Sequence, residues 1–108
     1  MAMTGELVDG RVRVSRDTTS VFHALSDRSR LTIVQHLALG EHRVVDLTAH
    51  LALAQSTVSK HLACLLECGI VTVRSQGRAS WYRLAHPEAV LQLLASAEAL
   101  HALAGKPL

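Results

Sequence analysis

The chain has 108 residues, 49% of them hydrophobic and only three aromatic, with a formal net charge of +2 and two cysteines. This suits one domain with a core of Leu, Val and Ala, of modest stability alone and helped by burying more surface in a dimer. No apolar run approaches the roughly 20 residues of a membrane span, and Met1 to Glu6 lack the basic stretch and apolar run of a signal peptide. The expected location is the cytoplasm, where two cysteines read as thiols or metal ligands rather than a structural bridge.

Residues 1–14 have no clear hydrophobic period and read as a flexible arm, leaving 15–108 as the folded domain. From about Asp17 the run Thr18 to Leu25 suggests a short helix, and Ser26-Asp27 offers a cap for the next. That second helix, about Arg28 to Leu39, carries Leu31, Val34, Leu37 and Ala38 at helical spacing and stops at Gly40. Val44 to Leu53 fits a third helix, with Val44, Leu47 and Leu51 on one side. Ala54-Gln55-Ser56 then supplies a tight turn and a cap before a fourth helix running to Cys68. Two short helices joined in this way make a helix-turn-helix.

After Gly69, Ile70 to Arg74 and Ser80 to Leu84 are strand-like runs joined by Ser75-Gln-Gly-Arg-Ala79, a hairpin that reads as a wing. His86-Pro87 opens a last helix, apolar over much of its circumference from Val90 to Ala104. A small monomer offers too few partners for such a helix, which therefore reads as a homodimer element, packed with the first helix. The expected fold is mostly α (α+β): a winged helix-turn-helix of about five helices with a two-stranded hairpin.

The fourth helix carries the chemistry. Gln55, Ser56, Thr57, Ser59, Lys60 and His61 are the hydrogen-bonding and cationic side chains that a helix needs to lie in a major groove and touch phosphates and base edges. On the wing, Arg74, Gln76 and Arg78 can reach a backbone or minor groove. Residues 55–83 hold Lys60, Arg74, Arg78 and Arg83 against Glu67 alone, so the positive charge coincides with the reading elements.

On a helical wheel Val58, Leu62 and Leu65 form the apolar stripe, and His61, Cys64 and Cys68 a neighbouring one. The cysteines then read either as small buried hydrophobes or as two ligands of one soft metal ion, since side chains four apart converge on a common point. A disulfide within the helix fits poorly, because the two Cβ vectors run nearly parallel. A thiolate pair is half a site, and further ligands must come from elsewhere.

The chain lacks a phosphate-binding Gly-rich loop, a His-Glu-x-x-His pair and a Gly-x-Ser-x-Gly elbow, which argues against an enzyme. A protein-binding winged-helix module is the other alternative, separable by salt-dependent binding to a palindromic duplex.

The element order, with Leu25-Ser-Asp-Arg-Ser-Arg-Leu31, Ser56-Thr-Val-Ser-Lys-His-Leu62 and Gly77-Arg-Ala-Ser-Trp-Tyr-Arg-Leu84, resembles the ArsR/SmtB family of bacterial repressors over about residues 16–104. The resemblance implies a homodimer on operator DNA of imperfect two-fold symmetry, released when an inducer binds. His61 to Val71 is most similar to the CmtR-like branch, whose members sense cadmium and lead through two cysteines in this position and a third from a C-terminal tail. This implies Cd, Pb or Zn as inducer at Cys64 and Cys68.

No third cysteine exists here, so His101, Glu98, His23, Asp17 or water would complete the set. The family's arsenic-type site, ahead of the third helix, is absent, because Arg43 and Val45 stand where its thiols would sit. Its zinc-type site on the last helix would call on His86, Glu88, Glu98 and His101, right in type but off in spacing. Within the same fold, the alternative is a repressor responding to thiol oxidation or to no small inducer, the cysteines being structural.

Overall fold

The structure, a computed structural model, describes residues 7–8, 11–12 and 14–105. Ahead of the helices, β1 (Leu7–Val8) and β2 (Arg11–Val12) pair antiparallel with Leu7 opposite Val12, a pairing that the aperiodic sequence does not announce. Residues 1–6, 9–10 and 13 of the expected arm lie outside the described residues.

Helix α1 (Arg16–Leu25) starts where the Ser15 hydroxyl accepts from the Thr18 N–H, and stops at Ser26. Asp27 then caps α2 (Arg28–Leu37), its carboxylate accepting from the Arg30 N–H at 2.9 Å. This helix ends two residues before the expected Leu39, because residues 38–40 already turn towards Gly40.

A strand not expected from the sequence follows: β3 (His42–Arg43) leads directly into α3 (Val44–Leu51). At the N-terminus of α3, Asp46 reaches back to accept the Arg43 N–H at 2.9 Å, satisfying one of the end's orphan donors. Ala52, left-handed at φ 54, terminates it two residues short of the expected Leu53 and turns the chain into α4 (Gln55–Glu67).

The far end of α4 closes in a Schellman motif. The Ile70 N–H donates to the Leu65 carbonyl and the Gly69 N–H to that of Leu66, with Gly69 left-handed at φ 78 and the Ile70 and Leu65 side chains both buried. The chain is thereby aimed into β4 (Val71–Gln76), which pairs with β5 (Ala79–Leu84) from Val71 opposite Leu84 to Gln76 opposite Ala79. The tip is tighter than the five residues expected: Gly77 at φ 61 and Arg78 make a two-residue turn with glycine in its first central position, as a II′ hairpin demands. Strand β3 adds to the other edge of β5, so the wing is a three-stranded antiparallel sheet of order β3-β5-β4.

Ile33, Val34 and Leu37 from α2, Leu47 from α3, and Val58, Leu62 and Leu65 from α4 form the core, closed by Ile70, Val71 and Leu84 at the base of the wing. Helix α5 (Pro87–Leu103), opened by proline as expected, packs Val90, Leu93 and Leu94 against this core. None of its residues is fully buried, and Leu91, Leu100 and Leu103 face solvent, as do Phe22 on α1 and Val14 just before it.

Candidate DNA-reading helix and thiol cleft

The helix-turn-helix sets α4 with Val58, Leu62 and Leu65 fully inside, which by helical geometry turns Gln55, Ser56, Ser59 and Lys60 outward as exposed side chains, with Thr57 partly covered. The cap expected from the Ala54-Gln55-Ser56 turn is not made by a side chain. Ala54 occupies the cap position, leaving the backbone N–H groups of the first turn to an outside acceptor.

His61, grouped with these residues on sequence grounds, instead turns inward. Its side chain is 18% exposed, with Nε2 3.9 Å from the Asp27 carboxylate and Nδ1 3.4 Å from Arg30 Nη1. Asp27 itself is held below the usual carboxylate range, chiefly by the Arg30 backbone N–H it accepts and then by the Arg30 charge.

On the wing, Arg74 is committed within the protein. Its Nε and Nη2 donate to the two oxygens of Glu41, both at 2.8 Å, and its Nη1 donates to Gln76 Oε1 at 2.7 Å. That fork lowers the Glu41 carboxyl and raises the Arg74 guanidinium from their ordinary values. Arg43 makes a matching fork to Asp46, at 3.1 and 3.0 Å, which holds the Asp46 carboxyl at about 2.

Arg43 and Arg74 are both cross-strand partners of Trp81 and lie over its ring, at 5.2 and 5.8 Å from the centroid. The position where an arsenic-type site would need a thiol thus holds half of this strap between wing and α3. Arg78 stands exposed at the tip.

Cys64 and Cys68 are free, half-buried thiols, Cys68 Sγ donating to the Leu65 carbonyl at 3.6 Å. They line a half-open cleft of about 700 Å³ between α4 and α1, with Asp17, Ser20, His23, Ala24 and Glu67. Of the four side chains considered as further ligands, Asp17 and His23 border this cleft, whereas Glu98 and His101 lie on α5 outside it. Sequence reasoning missed Ser20 and Glu67. The signal was available, since Asp17, Ser20 and Ala24 fall on one face of α1, and Glu67 is one turn beyond Cys64.

Among the described residues no three His, Cys, Asp or Glu side chains are so placed that they could hold a metal ion. Of the residues weighed for a zinc-type site paired across a dimer, Glu88 and His101 stand thirteen positions apart on α5, about 20 Å of helix, so within one chain they do not meet. No helix of the described residues is long and apolar enough to cross a membrane.

A helix-turn-helix with an exposed polar face on its second helix, followed by a sheet wing, defines a winged-helix DNA-binding regulator. The bacterial regulatory protein family arsR matches residues 27–73. The chain is 35% identical over 88 residues to the "Probable mercury resistance operon repressor" of Streptomyces lividans, covering 80% of this chain and 70% of that one. It is 44% identical over 62 residues to the "HTH-type transcriptional regulator CmtR" of Mycobacterium tuberculosis, covering 57% and 52%. Among solved structures, HlyU from Vibrio cholerae superposes with a TM-score of 0.66 at 32% identity, covering 72% of this chain and 87% of that chain. The chain belongs to the arsR family of bacterial regulatory proteins, and is a transcriptional regulator, not an enzyme.

Proposed function

We propose that the protein is a homodimeric repressor that binds operator DNA of two-fold symmetry and is released by a soft divalent metal ion held at Cys64 and Cys68. The observation that carries this reading is the cleft, which puts both thiols at the far end of the helix whose near end reads DNA. Gln55, Ser56, Thr57, Ser59 and Lys60 make the groove contacts, and the uncapped N-terminus of α4 meets a phosphate. Arg78 and Gln76 extend the contact from the wing. Arg74 and His61, already held by Glu41 and by Arg30 with Asp27, position the wing and the reading helix.

Thiolates select soft ions, and Cd(II), Pb(II) and Zn(II) are the candidates. The mercury repressor of Streptomyces lividans and the CmtR similarity agree with a metal of this kind. Asp17 and His23 are the donors that α1 brings to the same cleft. Since the set is not yet gathered, binding draws α1 and α4 together and turns the reading helix out of register with the groove. The exposed leucines of α5, with Phe22 and Val14, supply the dimer face.

The test is titration of a palindromic duplex from the upstream region, with and without Cd(II), Pb(II), Zn(II) and Hg(II). Metal-free protein is expected to bind in a salt-dependent way, and a soft ion to weaken binding by roughly 5- to 150-fold. Binding that is indifferent to every one of these ions removes the inducer reading and leaves the thiol-oxidation or inducer-free repressor in its place.

A further inference from the structure

Three of the seven histidines gather on elements that the thiol cleft does not use. His36 comes from the last turn of α2, His42 from β3 and His50 from the last turn of α3. Their ring centroids are 5.1 Å apart for His36 and His50, 5.7 Å for His42 and His50, and 6.3 Å for His36 and His42. We propose that His36, His42 and His50 form a second metal site, for a borderline divalent ion of the first transition row such as Zn(II) or Ni(II).

Spacing is the first argument. With metal to nitrogen bonds of about 2.0–2.1 Å and tetrahedral angles, the ring centres of three imidazole ligands sit roughly 5 Å apart. The observed separations are already close to this, so assembly needs little travel. It does need rotation, because His36 and His50 stack at an interplanar angle of 14° and, as they stand, the three rings are not placed to hold an ion.

The state of the rings is the second argument. His42 Nδ1 lies 2.8 Å from the Gly40 carbonyl, which can only accept, so Nδ1 carries the proton and the neutral ring keeps its lone pair on Nε2. A backbone carbonyl fixing the tautomer is the arrangement in which metal-bound histidines are commonly held. His36 and His50 also stand at helix C-termini, whose carbonyl ends favour a cation. His50 is exposed and the other two half-buried, which leaves room for water as a fourth ligand. Imidazole nitrogen suits zinc and nickel where thiolate favours softer ions such as cadmium and lead, so the two sites would overlap only at zinc. An ion here would join α2, the base of the wing and the first helix of the helix-turn-helix.

The experiment uses the full chain carrying Cys64→Ser and Cys68→Ser, so that thiolates contribute nothing. Zn(II) and Ni(II) are titrated calorimetrically, and the histidine ring resonances are followed by NMR. One ion per chain is expected, perturbing the rings of His36, His42 and His50, with His50→Ala and His36→Gln each weakening affinity about tenfold or more and His86→Ala leaving it unchanged. His50 is exposed, so its substitution leaves the core intact, and circular dichroism confirms the fold of each variant. Failure of the cysteine-free chain to bind either ion, or equal binding by the folded His50 and His36 variants, overturns the site.

Discussion

Arg30 Nη1 lies 3.4 Å from His61 Nδ1 while the same guanidinium donates from Nε to the Ala24 carbonyl at 2.6 Å and from Nη2 to the His23 carbonyl at 3.2 Å. One side chain therefore joins the end of α1, the start of α2 and the reading helix. Because Arg30 can only donate, Nδ1 of His61 accepts, and the proton of the neutral ring sits on Nε2, facing Asp27. Under the proposed switch, a shift of α1 at the thiol cleft would reach α4 through this link as well as through the cleft itself.

Replacing Arg30 by Ala leaves the Ala24 carbonyl and one imidazole nitrogen without a donor, while the His23 carbonyl still accepts from Ser26. The expected loss is about 1–3 kcal/mol of stability, the usual cost of removing hydrogen bonds from a charged group. Arg30→Lys, with one compact ammonium in place of a fork, should fall between that variant and the wild type. Urea denaturation measures both, and wild-type stability in Arg30→Ala would show that the link carries no weight.

Ser59 and Arg78 should behave differently towards DNA. Ser59→Ala is expected to weaken operator binding and relax sequence preference, whereas Arg78→Ala should weaken all duplexes alike and lower the salt slope by about one unit. Titrations on operator and scrambled duplexes at several salt concentrations separate the two effects. A double variant that binds the operator like the wild type would remove both contacts.

The order of helices and the buried stripe of α4 were legible because both rest on local periodicity and on short-range caps such as Asp27 and Gly69. Strand β3 was not, since two residues of no strand pattern pair only because β5 lies alongside them. His61 and Arg74 looked like DNA contacts because their types and positions fit. Their partners, Arg30 and Glu41, lie thirty-one and thirty-three positions away, and no spacing rule announces such pairs. For the same reason His36, His42 and His50 read as scattered in sequence and meet only when α2, β3 and α3 fold together.

Asp46 should give α3 a pH dependence at its N-terminus. Its carboxyl is held at about 2 against an ordinary 3.8, chiefly by the hydrogen-bonded Arg43 side chain. A carboxyl lowered on folding contributes stability that is full above the unfolded value and disappears as pH falls through the folded one. Asp46→Asn is therefore expected to melt below the wild type at neutral pH, the gap closing as pH drops from about 4 towards 2. Parallel melting curves across that window would show that the Arg43 fork does not stabilise the folded state.

The proposed dimer face is tested at Leu100, which is 69% exposed. A charge there costs the isolated fold little, so Leu100→Glu probes association more cleanly than a change at Leu94, which packs on the core. The variant should sediment as a monomer and lose the tight binding that comes from occupying two half-sites about 34 Å apart. A wild-type chain that is already monomeric when bound to its operator would overturn the dimeric reading.

The proposed switch is tested at the thiols. Cys64→Ser and Cys68→Ser keep side-chain size but replace a soft ligand with a poor one, so each should abolish release by Cd(II) or Pb(II) while leaving metal-free DNA affinity nearly intact. Asp17→Asn and His23→Ala should weaken the response, if α1 supplies the remaining donors across the cleft. Reciprocity adds a check that a packing role cannot mimic: operator DNA must weaken metal binding by the same factor by which metal weakens DNA binding. Fluorescence titrations of metal with and without duplex measure that factor. If both serine variants still release DNA on adding Cd(II) or Pb(II), the cysteines are core packing and the inducer acts elsewhere on the scaffold.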